Sequence, residues 1–112
     1  MAKYWPSKDP NAVEPYFVVW CDKTGTNVSG DDGELQGATI ATAVWTVPTG
    51  ITAASSNISA VTIDGISYAA STVATVWLTG GTVNTQYSIN CRITTSDSRT
   101  LDQTCVLNVE EQ

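Results

Sequence analysis

The 112-residue sequence contains no histidine and only five basic residues. Without histidine, the chain cannot build serine-histidine or cysteine-histidine nucleophiles, nor a metal site with histidine ligands. The five basic residues are scattered along a chain whose formal net charge is -6. Because neutralising nucleic-acid phosphates needs clustered lysine and arginine, the sequence argues against direct nucleic-acid binding.

Long apolar runs are absent as well. No stretch approaches the roughly 20 apolar residues that are needed to cross a bilayer, so no membrane role is predicted. The N-terminus lacks a charged region followed by an apolar run and a cleavage site, so we do not expect a secreted precursor. The Asn-x-Ser sequons at Asn27 and Asn57 are therefore not expected to carry glycans.

Motifs that bind phosphate or zinc are also missing. No glycine-rich loop follows a strand with the spacing of a phosphate cradle, and the three cysteines do not have zinc-site spacings. Folding could still bring Asp22, Asp64 or Asp102 together as the paired carboxylates of a hydrolase. We nevertheless predict no enzyme, no catalytic residue, no metal site and no cofactor.

The residues that are present are typical of an all-β domain. Only 14% of them are charged, and threonine, serine, valine, alanine and glycine dominate. The stretch from Thr39 to Thr52 alternates apolar with small or polar residues and stops at Pro48 and Gly50, which indicates a half-buried strand that ends in a sharp turn. We predict that it is the central core strand, with Ala41, Ala43, Trp45 and Val47 facing inward.

Other short strands are predicted on both sides of this stretch. An apolar run at 16–22 indicates a strand in a sheet interior. Farther along the chain, serine, asparagine and Asp-Gly residues divide the sequence into strands predicted near 51–55, 58–63, 66–69 and 72–79. The dipeptide Asp64-Gly65 between two apolar triplets predicts a hairpin with a type I′ turn.

The last two strands, at about 85–95 and 100–109, have the clearest alternation. Both place odd-numbered apolar residues inward, so the sequence numbers of two directly paired residues must add to an even number. A three-residue turn at 96–98, with Ser98 in the left-handed region, meets this requirement. Cys91 and Cys105 then face one core as neighbours or near-diagonals, and we predict two buried thiols rather than a disulfide.

Residues 1–15 are predicted to form an extended arm, and residues 16–112 a single domain. Three prolines in the arm favour extended geometry. Tyr4 and Trp5 form an aromatic pair far from any periodic segment. Two interpretations stay open at this point: the pair folds back onto the domain's own sheet, or it docks onto a partner subunit.

The segment 23–37 has loop composition and holds four of the eight glycines. A loop of this length in a small domain is often functional or disordered. Its carboxylates at Asp31, Asp32 and Glu34 could ligate calcium in principle. The spacing does not match an EF-hand loop, so we interpret the segment as a solvated acidic turn.

Taken together, an ordered set of short motifs resembles a family of small structural proteins of tailed bacteriophages, over residues 8–110. The motifs are Lys8-Asp9-Pro10 with Ala12-Val13 and Tyr16, a strand ending in Asp22, Ala38 to Ala41, Trp45-Thr46-Val47-Pro48 with Gly50-Ile51, Val76 to Gly81, Tyr87, Arg92 to Thr95, and Arg99-Thr100. This chain departs from the pattern in its longer loop at 23–37, an added segment at Ser59 to Tyr68, and Ser98 in place of the usual glycine.

The resemblance implies a single Ig-like β-sandwich and a non-enzymatic role as a fibre-tail adaptor, present in the virion and assembled in the host cytoplasm. Its expected partners are other virion proteins, namely a tail tube or adaptor ring and a fibre or spike, with copies of the chain arranged in a ring. One alternative is a capsid decoration protein. Another is a carbohydrate-binding module that would expose Trp20, Trp77 or Tyr68 as a sugar-stacking platform.

Contact with these partners is predicted at two segments that a free domain would not need. The predicted partner-binding residues are Tyr4, Trp5, Pro6 and Lys8 on the arm and Asp31, Asp32 and Glu34 on the acidic loop. Deletion of residues 1–9 is expected to leave a folded domain that no longer joins particles.

Overall fold

The computed structural model describes residues 3–111, with only the backbone described at 3 and 4, and contains no helix in that range. Its strands are β1 (Lys3–Tyr4), β2 (Glu14–Val19), β3 (Ile40–Thr46), β4 (Ile51–Asn57), β5 (Val61–Ile63), β6 (Ile66–Tyr68), β7 (Val73–Gly80), β8 (Thr85–Thr95) and β9 (Thr100–Val109). No helix in this part of the chain has the length and apolarity to span a membrane. The prediction of an all-β protein is confirmed.

The strands form two larger sheets and one small one. The first has the order β1-β9-β8-β3, the second has the order β2-β7-β4, and β5 pairs with β6. Buried residues of both larger sheets belong to one hydrophobic core, whose fully enclosed members include Val76, Leu78, Ile89, Ile93 and Leu107. The assignment of an Ig-like topology stays a prediction.

The pairing of β8 with β9 follows the parity rule drawn from the sequence. The register runs from Thr85 opposite Val109 to Thr94 opposite Thr100, so each pair sums to an even number. Ser98 closes the turn with a φ of 67°. Cys91 pairs with Gln103 and Cys105 pairs with Ile89, which places the two buried thiols on a diagonal, as predicted.

The predicted sharp turn at Pro48 and Gly50 is confirmed, with separate strands before and after it, but the central position predicted for the strand before the turn is wrong. The turn at Pro48 and Gly50, where φ is 104°, divides the segment into β3 and β4, and each strand lies at the edge of a different sheet. A bulge at the start of β3 leaves Ala41 exposed and turns Ile40 inward. Trp45 is only half-buried because β3 has a neighbour on one side alone.

The strand predicted at 16–22 also differs from the structure. It begins at Glu14, ends at Val19, and lies at the edge of its sheet rather than in the interior. The central position belongs to β7, where every residue from Val73 to Val76 is buried. Because both faces of this part of β7 are covered, its sequence there shows no simple alternation of apolar and polar residues.

The β5–β6 hairpin confirms the predicted turn. Asp64 and Gly65 have φ values of 51° and 81°, which is the double positive φ of a type I′ turn. The first strand of the hairpin begins at Val61 rather than 58, and β4 extends to Asn57. The hydroxyl of Tyr68 donates to the carbonyl of Lys23 at 2.9 Å, so the hairpin is tied to the long loop.

Candidate partner-binding surfaces

The N-terminal arm runs along the outer edge of the first sheet. β1 pairs in parallel with β9, and Lys8 forms a further parallel bridge to Val109. Backbone hydrogen bonds continue this pairing from Trp5 N–H to the Val106 carbonyl and from Glu110 N–H to the Lys8 carbonyl, at 3.0 and 2.8 Å. The arm is therefore part of the folded unit in this chain.

Trp5 fixes the arm against the second sheet. Its side chain is 7% exposed, its ring stacks on Tyr16 with centroids 4.9 Å apart, and its indole N–H donates to the Phe17 carbonyl at 3.1 Å. Of the two interpretations left open by the sequence, Trp5 in the single chain follows the first: it folds back onto the domain's own sheet. For Tyr4 the backbone lies opposite Val106, while its side chain is outside the described residues.

Lys8 is fully enclosed, whereas Pro6 is exposed. The Lys8 ammonium group donates to the carbonyls of Asp9 and Gly80, both at 2.8 Å. Burial lowers the pKa of Lys8, although the negative charges of Glu14 and Asp9 oppose that effect. The usual preference of lysine for the surface predicts a solvated side chain on the arm. In the structure its apolar stem instead packs inside, and its ammonium group binds backbone carbonyl oxygens.

An open groove of about 480 Å³ lies beside the arm. Its apolar lining comes from three separated segments and includes Trp5, Pro6, Phe17 and Ile63. Glu14 and Asp64 give it acidic side chains. This groove cannot be predicted from the sequence, because no local pattern shows that the tip of the β5–β6 hairpin reaches the N-terminal arm.

The acidic loop at 23–37 is held in place by its own polar groups. The carboxylate of Asp31 accepts from the N–H groups of Val28 and Gly33, both at 2.9 Å. Leu35 anchors the loop in the core, while Asp32 and Glu34 are exposed. Within the described part of the chain, no three acidic, cysteine or histidine groups are arranged to hold a metal ion.

Two residues that the sequence analysis did not assign to the site organise this loop. The carboxylate of Asp22 accepts from Thr24 N–H at 2.9 Å and from Asp32 N–H at 3.1 Å, and the Thr24 and Asp32 hydrogen bonds lower the pKa of Asp22. Arg99 donates to the carbonyls of Glu34 and Leu35 at 2.9 and 2.7 Å. The loop is thereby joined to the turn between β8 and β9.

The arm and the acidic loop lie at opposite ends of the molecule. Arg99, which binds the loop, immediately precedes β9, and Val109, which pairs with Lys8, is its last residue. A strand rises about 3.4 Å per residue, so ten residues separate the two ends by roughly 30 Å. The structure therefore does not bring the two predicted segments together.

The residues named for the alternative functions are placed as follows. Trp20 and Tyr68 are 2% and 7% exposed and form no sugar-stacking platform, while Trp77 is 38% exposed.

Asp102 is paired with Arg92 at 2.9 Å. Burial raises the pKa of the Cys91 thiol to about 12, which keeps it protonated and a poor nucleophile at neutral pH.

A comparison with protein families gives one match, over residues 8–108, to the family described as podophage GP4 fiber-tail adaptor protein gp77. No curated protein and no solved structure matches the chain. The family match leaves out only a few residues at each end of the chain. The protein therefore belongs to the podophage GP4 fibre-tail adaptor family.

Proposed function

We propose that the protein is a two-ended connector that attaches a fibre or spike to the phage tail. Membership of the adaptor family supports a virion structural protein that contacts other tail proteins. The observation that carries the proposal is the placement of the two candidate surfaces at opposite ends of β9. We further propose that the two sheets correspond to a single Ig-like sandwich, preceded by the N-terminal arm over residues 1–15.

At the arm end, the proposed contact combines the exposed Pro6 with the open groove beside it. Tyr4 is included as a proposed contact because it directly precedes Trp5, which lines the groove. Trp5 and Lys8 act by holding the arm, because both are buried in the chain. An apolar groove with a few polar groups is the kind of surface that receives an extended segment of another protein.

At the loop end, the proposed contact uses the carboxylates of Asp32 and Glu34. Both side chains are exposed on a loop that Asp22, Asp31 and Arg99 hold in place. A rigid acidic surface binds a basic partner with little loss of conformational entropy. Each contact can be weak if several copies act together in a ring.

The test compares two pairs of substitutions that remove the same charge at opposite ends. Asp32→Asn with Glu34→Gln neutralises the loop end, and Glu110→Gln with Glu111→Gln neutralises two exposed carboxylates near Lys8. Phages carrying each pair are purified, and electron microscopy with protein quantification counts the adaptors and fibres per tail.

We expect the substitutions at Asp32 and Glu34 to lower the number of either adaptors or fibres per tail. The substitutions at Glu110 and Glu111 should leave that same number unchanged. Equal effects of both pairs, or normal occupancy with both, would contradict a two-ended connector. The adaptor count per particle also separates this function from capsid decoration, because a decoration protein covers the capsid surface and needs many more copies than a tail adaptor does.

A further inference from the structure

The side of the molecule formed by β3 and β4 carries two unpaired strand edges. β3 ends the four-stranded sheet and β4 ends the three-stranded sheet, and no described strand pairs with their outer edges. A groove of about 310 Å³ lies between them, lined by Ala43, Trp45, Asn57 and Ile58 among others. Open edges of this kind present N–H and carbonyl groups that can pair with another strand.

The edge strand β2, at the other edge of the three-stranded sheet, is protected. Pro15 in the edge strand β2 has no N–H group, and the indole of Trp5 occupies the carbonyl of Phe17. Neither β3 nor β4 contains a proline or a charged residue. Proteins that avoid edge pairing usually place such residues there, so their absence marks the β3–β4 side as available for association.

Charge favours a second copy of this chain as the occupant. Between Glu34 and Arg92 the only charged residue is Asp64, although the whole chain has a net charge of -6. Copies with this charge repel one another wherever acidic surfaces meet, so they can approach most closely at an uncharged face. An edge strand can also pair with the same strand of a second copy, because antiparallel pairing about a two-fold axis uses the same surface on both copies.

β3 is better suited to this pairing than β4. The bulge in β4 lies in the middle of the strand, between Ala53 and Ser55, and bulges twist an edge away from new partners. The bulge in β3 lies at its start, so the strand is regular from Thr42 to Thr46. Val44, at the centre of this regular part, is 58% exposed.

We infer that two copies of the chain associate through antiparallel pairing of their β3 strands, with Val44 of each copy facing Val44 of the other. The pairing joins the two four-stranded sheets into one continuous sheet. It also brings the second copy over the groove between β3 and β4. This inference does not rest on the proposed connection of fibre to tail.

The main test is sedimentation equilibrium of the purified full chain over a wide concentration range, with Val44→Glu and the control Val28→Glu. Val44 and Val28 are 58% and 60% exposed, so the two substitutions change charge and exposed surface alike. Within one chain the new carboxylate at position 44 would face Arg92, which supports folding. Between copies it would face its own counterpart, so we expect Val44→Glu to raise the dimer dissociation constant at least ~10-fold.

Two further measurements keep the inference falsifiable if Val44→Glu lowers stability. Val44→Cys should form a disulfide-linked dimer on mild oxidation, since the native cysteines are all buried. Raising the salt concentration should tighten the dimer, because salt screens the repulsion between two acidic chains. The inference is overturned by a monomer at every concentration, by equal weakening with Val28→Glu, or by no cross-linking of Val44→Cys.

Discussion

Ser98 adopts a backbone conformation that a serine rarely takes. It is exposed, its φ is 67°, and its N–H donates to the Thr95 carbonyl at 3.0 Å to close the turn. The left-handed region costs a residue with a Cβ about 1–2 kcal/mol, and glycine avoids that cost but loses more entropy on folding. We therefore expect Ser98→Gly to raise the free energy of unfolding by about 0.5 kcal/mol in urea titrations.

The matched control is Ser96→Gly in the same turn. The hydroxyl of Ser96 accepts from the N–H of Thr39 at 3.0 Å, so its removal leaves a donor without that partner. We expect this substitution to lower the free energy of unfolding by about 1 kcal/mol. If both serine-to-glycine changes shift stability in the same direction, backbone strain at Ser98 does not explain the effect.

The burial of Lys8 is a feature that its sequence neighbours do not predict. A lysine among prolines and small polar residues is expected in water. The backbone carbonyls that accept its hydrogen bonds belong to its neighbour Asp9 and to Gly80 at the end of β7, which is far away in the sequence. Their position depends on the pairing of the arm with β9, which no residue near Lys8 encodes.

At the scale of elements, Arg99 connects the acidic loop to the last hairpin. Its guanidinium donates to two loop carbonyls and also to Asp97. A lysine can reach one acceptor but cannot reproduce this fork. We expect Arg99→Lys to lower the free energy of unfolding by about 1 kcal/mol. We also expect it to speed hydrogen exchange at the amides of Glu34 and Leu35, which bond to the Trp20 carbonyl.

Arg92→Lys serves as the comparison for this prediction. Arg92 also forms a two-nitrogen contact with a carboxylate, at Asp102, but its side chain lies exposed on the face of a sheet. Exposed ion pairs contribute little, so stability and exchange in the loop should stay close to wild type. Similar loop exchange in the two variants would argue against Arg99 as the link between the loop and the hairpin.

The elements differ in how far the sequence determines them. The β8–β9 hairpin was predicted in register and turn because its alternation is regular and a short turn fixes the pairing. The positions of β3 and β2 at sheet edges were not predicted, since the same apolar residues suit an edge or an interior strand. Of the site, the acidic loop was found from composition, whereas the groove at the arm depends on contacts distant in sequence.

For the whole molecule, charge is concentrated towards the two ends of the chain and is nearly absent from its middle. Apart from Asp64, all charged residues precede position 35 or follow position 91. In the fold, β3 and β4 themselves carry no charged residue, and carboxylates lie near both ends of β9. An acidic protein can thus offer charged surfaces to different partners and an uncharged surface to its own copies.

Three aspartates make the stability of the whole molecule sensitive to acid. Hydrogen bonds from Thr24 and Asp32 lower the pKa of Asp22, the Thr95 hydroxyl and Arg99 lower that of Asp97, and Arg92 lowers that of Asp102. The unfolded chain then takes up protons at a higher pH than the folded protein. The stabilisation is therefore complete above the ordinary value of 3.8 and is lost as the pH falls through the lower folded values.

Asp22→Asn tests this dependence at the residue that organises the acidic loop. The uncharged amide keeps one oxygen, so it cannot accept from both Thr24 and Asp32 as the carboxylate does. The variant should melt below wild type at neutral pH, and the gap in melting temperature should shrink as acid protonates Asp22 in the wild-type protein. Melting curves followed by circular dichroism from neutral pH down to about pH 2 measure the gap. A gap that stays constant over that range would mean that the charge of Asp22 does not stabilise the fold.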